Sequence, residues 1–227
     1  MQLPKRSCIF VFKIFENLKN YILKNKWFIG AYFIVLLLTS LLLLITNSES
    51  VSLYVNAVHN PFFDIFFKYV THFGEGWFAV PACLFLLYKN RKWGTAACVI
   101  SLASALITQF NKHFVFENAH RPALVLKEFK LNFVDGVEIL NYNSFPSGHT
   151  TFAFAIFTCF AFIYQKPLQQ TFFLFCALLV AFSRIYLLQH FLRDTIVGSF
   201  IGFGCAFILF YFLIEKKVLK DLTKVVD

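Results

Sequence analysis

WFIGAYFIVLLLTSLLLLIT, residues 27–46, runs for twenty positions without a charge. At 1.5 Å per residue, a helix of that length crosses a hydrocarbon core of about 30 Å. It is too long for a signal-peptide h-region of about 7–15 residues, and the Asn47-Ser48-Glu49-Ser50 that follows offers no small-residue cleavage site. The stretch therefore reads as a retained anchor, and the rest of the chain is to be read with lipid as a solvent.

Residues 195–214 repeat the pattern, again with twenty uncharged positions. Two shorter uncharged stretches, 94–111 and 150–165, extend into polar flanks. Two more apolar segments carry polar outer ends: 69–88 contains His72 and Glu75, and 167–188 contains Arg184. With 59% hydrophobic residues and 33 Phe among 227, the chain is too apolar for a soluble domain of this size. The expectation is an all-α integral membrane protein whose six transmembrane helices form one bundle at 27–214. No repeat or linker divides it.

The net charge of +9 suggests nucleic acid at first, but its distribution argues for topology. With both termini cytoplasmic, fourteen Lys and Arg lie inside and seven outside. That is the positive-inside bias. No interleaved basic and aromatic surface suits a nucleic-acid groove. Residues 1–26 form a basic amphipathic leader suited to the anionic inner leaflet, and 215–227 a basic cytoplasmic tail. Five of the six cysteines fall inside spans and none forms a C-x-x-C pair, so they read as small buried hydrophobes, with neither a disulfide framework nor a zinc site.

On this topology the outer ends of the last four spans, with the long connection at 117–146, collect Lys112, Arg121, Ser147, His149, Arg184, His190 and Asp194. Ionisable groups at membrane depth are costly and by default functional. Their chemistry is coherent: cations for a phosphate, two imidazoles that exchange protons near neutral pH, and a carboxylate to orient one of them. His190 and Asp194 stand four apart, the spacing of one helix face. Ser147 reads as the N-cap of the following span, where free backbone N–H groups make an anion site and Gly148 lets the backbone approach it.

These residues resemble the type 2 phosphatidic acid phosphatase superfamily, whose pattern is K-x6-R-P, then P-S-G-H, then S-R-x5-H-x3-D. Pro146-Ser147-Gly148-His149 matches the second block, and Ser183-Arg184 with His190 and Asp194 matches the third at every fixed position. In the first block Lys112 precedes Arg121-Pro122 by eight intervening residues rather than six. Strict spacing would place Phe114 at the lysine position, and Phe cannot bind phosphate. Lys112 is the preferred assignment, since a loop absorbs extra residues cheaply.

The resemblance implies a membrane lipid phosphatase. Its catalytic residues would be His190 as nucleophile, Asp194 as its orienting partner and His149 as general acid. Phosphate would be held by Lys112, Arg121, Ser147, Gly148 and Arg184. It implies no metal and no cofactor, and a phospholipid or isoprenoid-phosphate substrate in a bacterial inner membrane, with the site on the outer face. Candidate substrates are isoprenyl diphosphates, phosphatidic acid, phosphatidylglycerol phosphate and lipid A phosphates. A lipid-to-lipid phosphotransferase on the same fold is the enzymatic alternative. A lipid transporter or scramblase is the non-catalytic one, but it gives no reason for the His190–Asp194 spacing. His59, His72, His113 and His120 match no motif, and Glu75, between Gly74 and Gly76, reads as a turn residue with the edge of the site as its alternative. Gly198 and Gly202 read as a helix-packing pair.

Overall fold

Asparagine caps mark where three of the helices of this chain begin. The computed structural model describes residues 5–215, which form α1 (Lys5–Lys24), α2 (Lys26–Ile45), α3 (Ser48–Ala57), α4 (Pro61–Val70), α5 (Gly76–Lys89), α6 (Arg91–Phe110), α7 (Pro122–Val125), α8 (Gly148–Ile163), α9 (Pro167–Tyr186) and α10 (Leu192–Phe210). Among the described residues there is no strand. The first four residues of the leader and nearly all of the basic tail lie outside the described residues. The side chains of Asn47, Asn60 and Asn90 accept the backbone N–H of Ser50, Phe63 and Lys92, opening α3, α4 and α6, and Pro61 supplies the fixed φ of a first helical position.

Helix α8 is the centre of the bundle. Eleven of its sixteen residues are buried, and α6, α9 and α10 pack around it. Helix α2 is the opposite case: only Phe28 and Tyr32 are buried, and Leu37, Leu38, Leu41, Leu42 and Leu44 face outward. A helix apolar all round with so little buried surface is built for lipid. Between α8 and α10 the backbones nearly touch. A Cβ at Gly198 would lie 2.6 Å from the Ser147 carbonyl oxygen, and one at Gly202 would overlap the Thr151 carbonyl. The small-residue pair therefore sets the spacing of these helices, as its sequence pattern suggests.

Among the described residues, four helical segments are long and apolar enough to cross a membrane: Lys26–Ile45, Arg91–Val115, Pro167–Tyr186 and Leu192–Ile214. The expected crossing at 69–88 is not one straight helix. Pro61–Gly74 and Gly76–Lys89 meet at a bend of 59°. The break has a packing cause. A Cβ at Gly74 would lie 2.7 Å from the His149 carbonyl oxygen and 2.9 Å from its Cβ, so this point presses on the first turn of α8. Glu75 is then extended at φ −90°, ψ 151°, which ends one helix before the next begins. Helix α8, where the fourth crossing was expected, is shorter: sixteen residues give about 24 Å.

Candidate active site

The site is assembled at the N-terminus of α8. The Ser147 side chain accepts the Thr150 N–H at 3.4 Å and pairs with the Thr150 hydroxyl at 2.9 Å. Its own N–H donates to the Asp194 carbonyl at 3.1 Å, which ties the start of α8 to the start of α10. Beyond it opens a cavity of about 360 Å³. Of the eight residues expected at the site, Lys112, Arg121, Gly148, His149, Arg184 and His190 line this cavity. Ser147 and Asp194 are buried behind its wall. The Ser147 hydroxyl is engaged in capping rather than turned to the cavity.

Three cations converge from different elements. Lys112 sits in a π-turn, Asn111–Val115, that continues α6. Such a turn takes one more residue than an α-turn, a local irregularity in the segment where the Lys112–Arg121 interval is longer than the family pattern. Its Nζ donates to the Asn143 carbonyl at 3.1 Å and would lie 4.0 Å from a Cβ at Gly148. Phe114, at the strict-spacing position, is 78% exposed and does not line the cavity.

The Arg121 Nε donates to the Tyr142 carbonyl at 2.8 Å, and its Nη1 to both the carbonyl and the side-chain oxygen of Gln189 at 3.0 Å. Burial draws its guanidinium down to about 10, so it remains charged at neutral pH. Arg184 Nη1 donates to the Thr71 hydroxyl at 2.6 Å and Nη2 to the Gln189 side chain at 3.4 Å. Its Nε is buried and has no partner. A buried, unpartnered donor on a guanidinium lining a cavity is a place for an anion.

The His190–Asp194 pair forms, but not as two positions on one helix. His190 lies in the tight turn after α9, its N–H donating to the Arg184 carbonyl at 3.0 Å, and α10 begins only at Leu192. Asp194 is in the first turn of α10, where its carboxylate accepts the Phe191 N–H at 3.0 Å and the Ser144 hydroxyl at 2.5 Å. The same oxygen lies 3.5 Å from His190 Nδ1, which has no hydrogen-bond partner. Burial first, then Arg121, Arg184 and Lys112, hold the His190 imidazole well below its ordinary value. It is therefore neutral at pH 7, with a lone pair available for attack.

Other residues join the site without a motif to announce them. Glu75 lines the cavity, with Oε1 3.6 Å from His149 Nε2. Gln189 bridges the two arginines, and its amide donates to the Glu138 carbonyl at 2.8 Å, fastening the 126–146 connection over the site. Ser144 positions Asp194. His120 stays outside the cavity, stacked edge-on against Tyr142, and His59 binds Asp64 at 3.0 Å near the end of α9. Among the described residues, no three His, Cys, Asp or Glu side chains converge as metal ligands.

Comparison with known proteins bears on the family and the fold. The sequence model of the PAP2 superfamily matches residues 93–217. A lipid A 4'-phosphatase of Bacteroides thetaiotaomicron is 30% identical over 175 residues, covering 72% of this chain and 75% of the relative. The crystal structure of Aquifex aeolicus LpxE superposes with a TM-score of 0.64 at 28% identity, over 70% of this chain and 92% of that one. The first transmembrane PAP2-type phosphatidylglycerolphosphate phosphatase from Bacillus subtilis shares the fold, with a TM-score of 0.61 at 20% identity over 83% and 96% of the two chains.

Proposed function

We propose a function from one premise: this chain belongs to the PAP2 superfamily. It hydrolyses a phosphomonoester of a membrane lipid. A lipid A-type glycolipid phosphate is the first substrate class, because the curated relative matched over 72% of the chain is a lipid A 4'-phosphatase. The observation that carries the hydrolytic reading is the cavity itself, which joins a buried neutral imidazole to Lys112, Arg121 and Arg184 and leaves one guanidinium donor free.

The His190 Nε2 lone pair attacks phosphorus in line with the ester oxygen. The N–P bond forms as the P–O bond to the lipid breaks, and His149 delivers a proton to the departing oxygen. Asp194 takes the hydrogen bond of Nδ1–H as the ring becomes cationic. Water then attacks the phosphohistidine, its proton passes to His149, the P–N bond breaks and inorganic phosphate leaves. Lys112, Arg121, Arg184 and the Gly148 N–H hold the equatorial oxygens. Ser147 acts from behind, by fixing the first turn of α8. Phosphoryl transfer asks mainly for positioning and charge neutralisation, so the reaction proceeds without a metal.

The protein lies in a bacterial inner membrane with six crossings, the bent pair and α8 completing the four long segments. Both termini are cytoplasmic and the cavity opens outward, a layout supported by the fourteen-to-seven charge bias.

The test is phosphate release in detergent with EDTA present. The substrates are a lipid A 4'-phosphate, phosphatidic acid, phosphatidylglycerol phosphate and an isoprenyl diphosphate. The lipid A phosphate is turned over fastest, His190→Ala lowers the rate by at least about 1,000-fold, and acid quenching traps a phosphohistidine in the wild type. Wild-type rates in His190→Ala refute the mechanism.

A further inference from the structure

Glu75 occupies an unusual place for a carboxylate. It stands at the break between α4 and α5, with its neighbour Gly74 pressed against the backbone of His149. Among the described residues lining the cavity it is the one carboxylate, facing a wall that carries Lys112, Arg121 and Arg184. Both of its oxygens are held. His72 Nδ1 lies 2.8 Å from Oε1, and Trp77 Nε1 donates to Oε2. The same Oε1 lies 3.6 Å from His149 Nε2. The Glu75 side chain makes no cap hydrogen bond to the helix that follows, so the capping of α5 does not account for this acid.

The reaction proposed above creates a need at this position. His149 must carry a proton toward the leaving oxygen while sharing its cavity with Lys112, Arg121, Arg184 and His190, and, at the break, with His72 close by. Like charges disfavour an imidazolium, and a carboxylate within about 4 Å offsets them. We propose that Glu75 is a positioning residue for this reaction, holding Nε2–H of His149 so that the other ring nitrogen serves the lipid oxygen. In the imidazolium both nitrogens carry protons. One proton leaves with the lipid alcohol, the ring keeps Nε2–H on Glu75, and the freed nitrogen accepts a proton from water in the second step. The inference rests on the functional reading of the same cavity.

A leaving-group comparison on the full chain tests it. Glu75→Gln keeps the shape and an acceptor for Trp77 but removes the charge. Two substrates are used: a lipid phosphate, whose alkoxide must be protonated to depart, and p-nitrophenyl phosphate, whose phenolate departs without a proton. The loss of kcat/KM in Glu75→Gln is expected to be at least about tenfold greater on the lipid phosphate than on the aryl ester. Glu75→Asp recovers part of the difference, and on the lipid substrate Glu75→Gln adds little to His149→Ala. Equal losses on both substrates, or full additivity with His149→Ala, overturn the inference and assign Glu75 a purely structural role. Lipid phosphate release that survives His190→Ala overturns the functional reading and this inference with it, so the two failures are distinguishable.

Discussion

At the scale of single residues, the proposed mechanism relies on a neutral His190 and on arginines held in place. Because burial and three cations depress its imidazole, His190 becomes protonated only as pH falls below the usual imidazole range. The acid limb of kcat/KM therefore lies below about pH 6.5, the unperturbed value, and a pH–rate profile of the free enzyme checks it. Gln189 is the joint between Arg121 and Arg184. Gln189→Leu removes the shared acceptor and is expected to lower kcat/KM by about 10–100-fold, since small misplacements of phosphate-holding groups are costly. The sequence showed His190 and Asp194 through their spacing, and His149 through the Pro146-Ser147-Gly148-His149 block. It did not single out Gln189, although that residue adjoins His190, because its partners are 68 and 5 positions away and no periodicity links them.

At the scale of elements, two features position the chemistry. The first is the close approach of α8 and α10 at Gly198 and Gly202. Gly198→Ala places a methyl against the Ser147 carbonyl and is expected to cost about 1–3 kcal/mol in detergent unfolding, as overpacking does, while lowering activity by shifting the Gly148 turn. Gly202→Ala costs a similar amount but lies a turn farther from Gly148, so it affects stability more than rate. Thermal unfolding and kcat/KM measured together separate the two. The second feature is the break at Glu75. Hydropathy read the 69–88 segment as a crossing because its residues are apolar. It missed the 59° bend because the cause is contact with α8, not local propensity. The π-turn at Lys112 escaped for a related reason: a registry change of one residue leaves no compositional mark.

At the scale of the whole molecule, orientation is the property most open to a direct test. A cysteine at Glu128, in the long connection, is expected to react with a membrane-impermeant maleimide on intact cells, above the background of the native cysteines. One at Lys166, between α8 and α9, is expected to react only after permeabilisation. The reverse pattern would invert the proposed topology. The sequence alone determined the membrane class, the helical architecture and the family blocks, because hydrophobic length, charge bias and short spacings are all written along the chain. The tertiary structure decided that Lys112 rather than Phe114 faces the cavity, that the capping Ser147 lies behind its wall rather than in it, and that Glu75 stands beside His149. Those outcomes depend on which helices touch and at what height. Packing between residues dozens of positions apart sets that, and no local pattern encodes it.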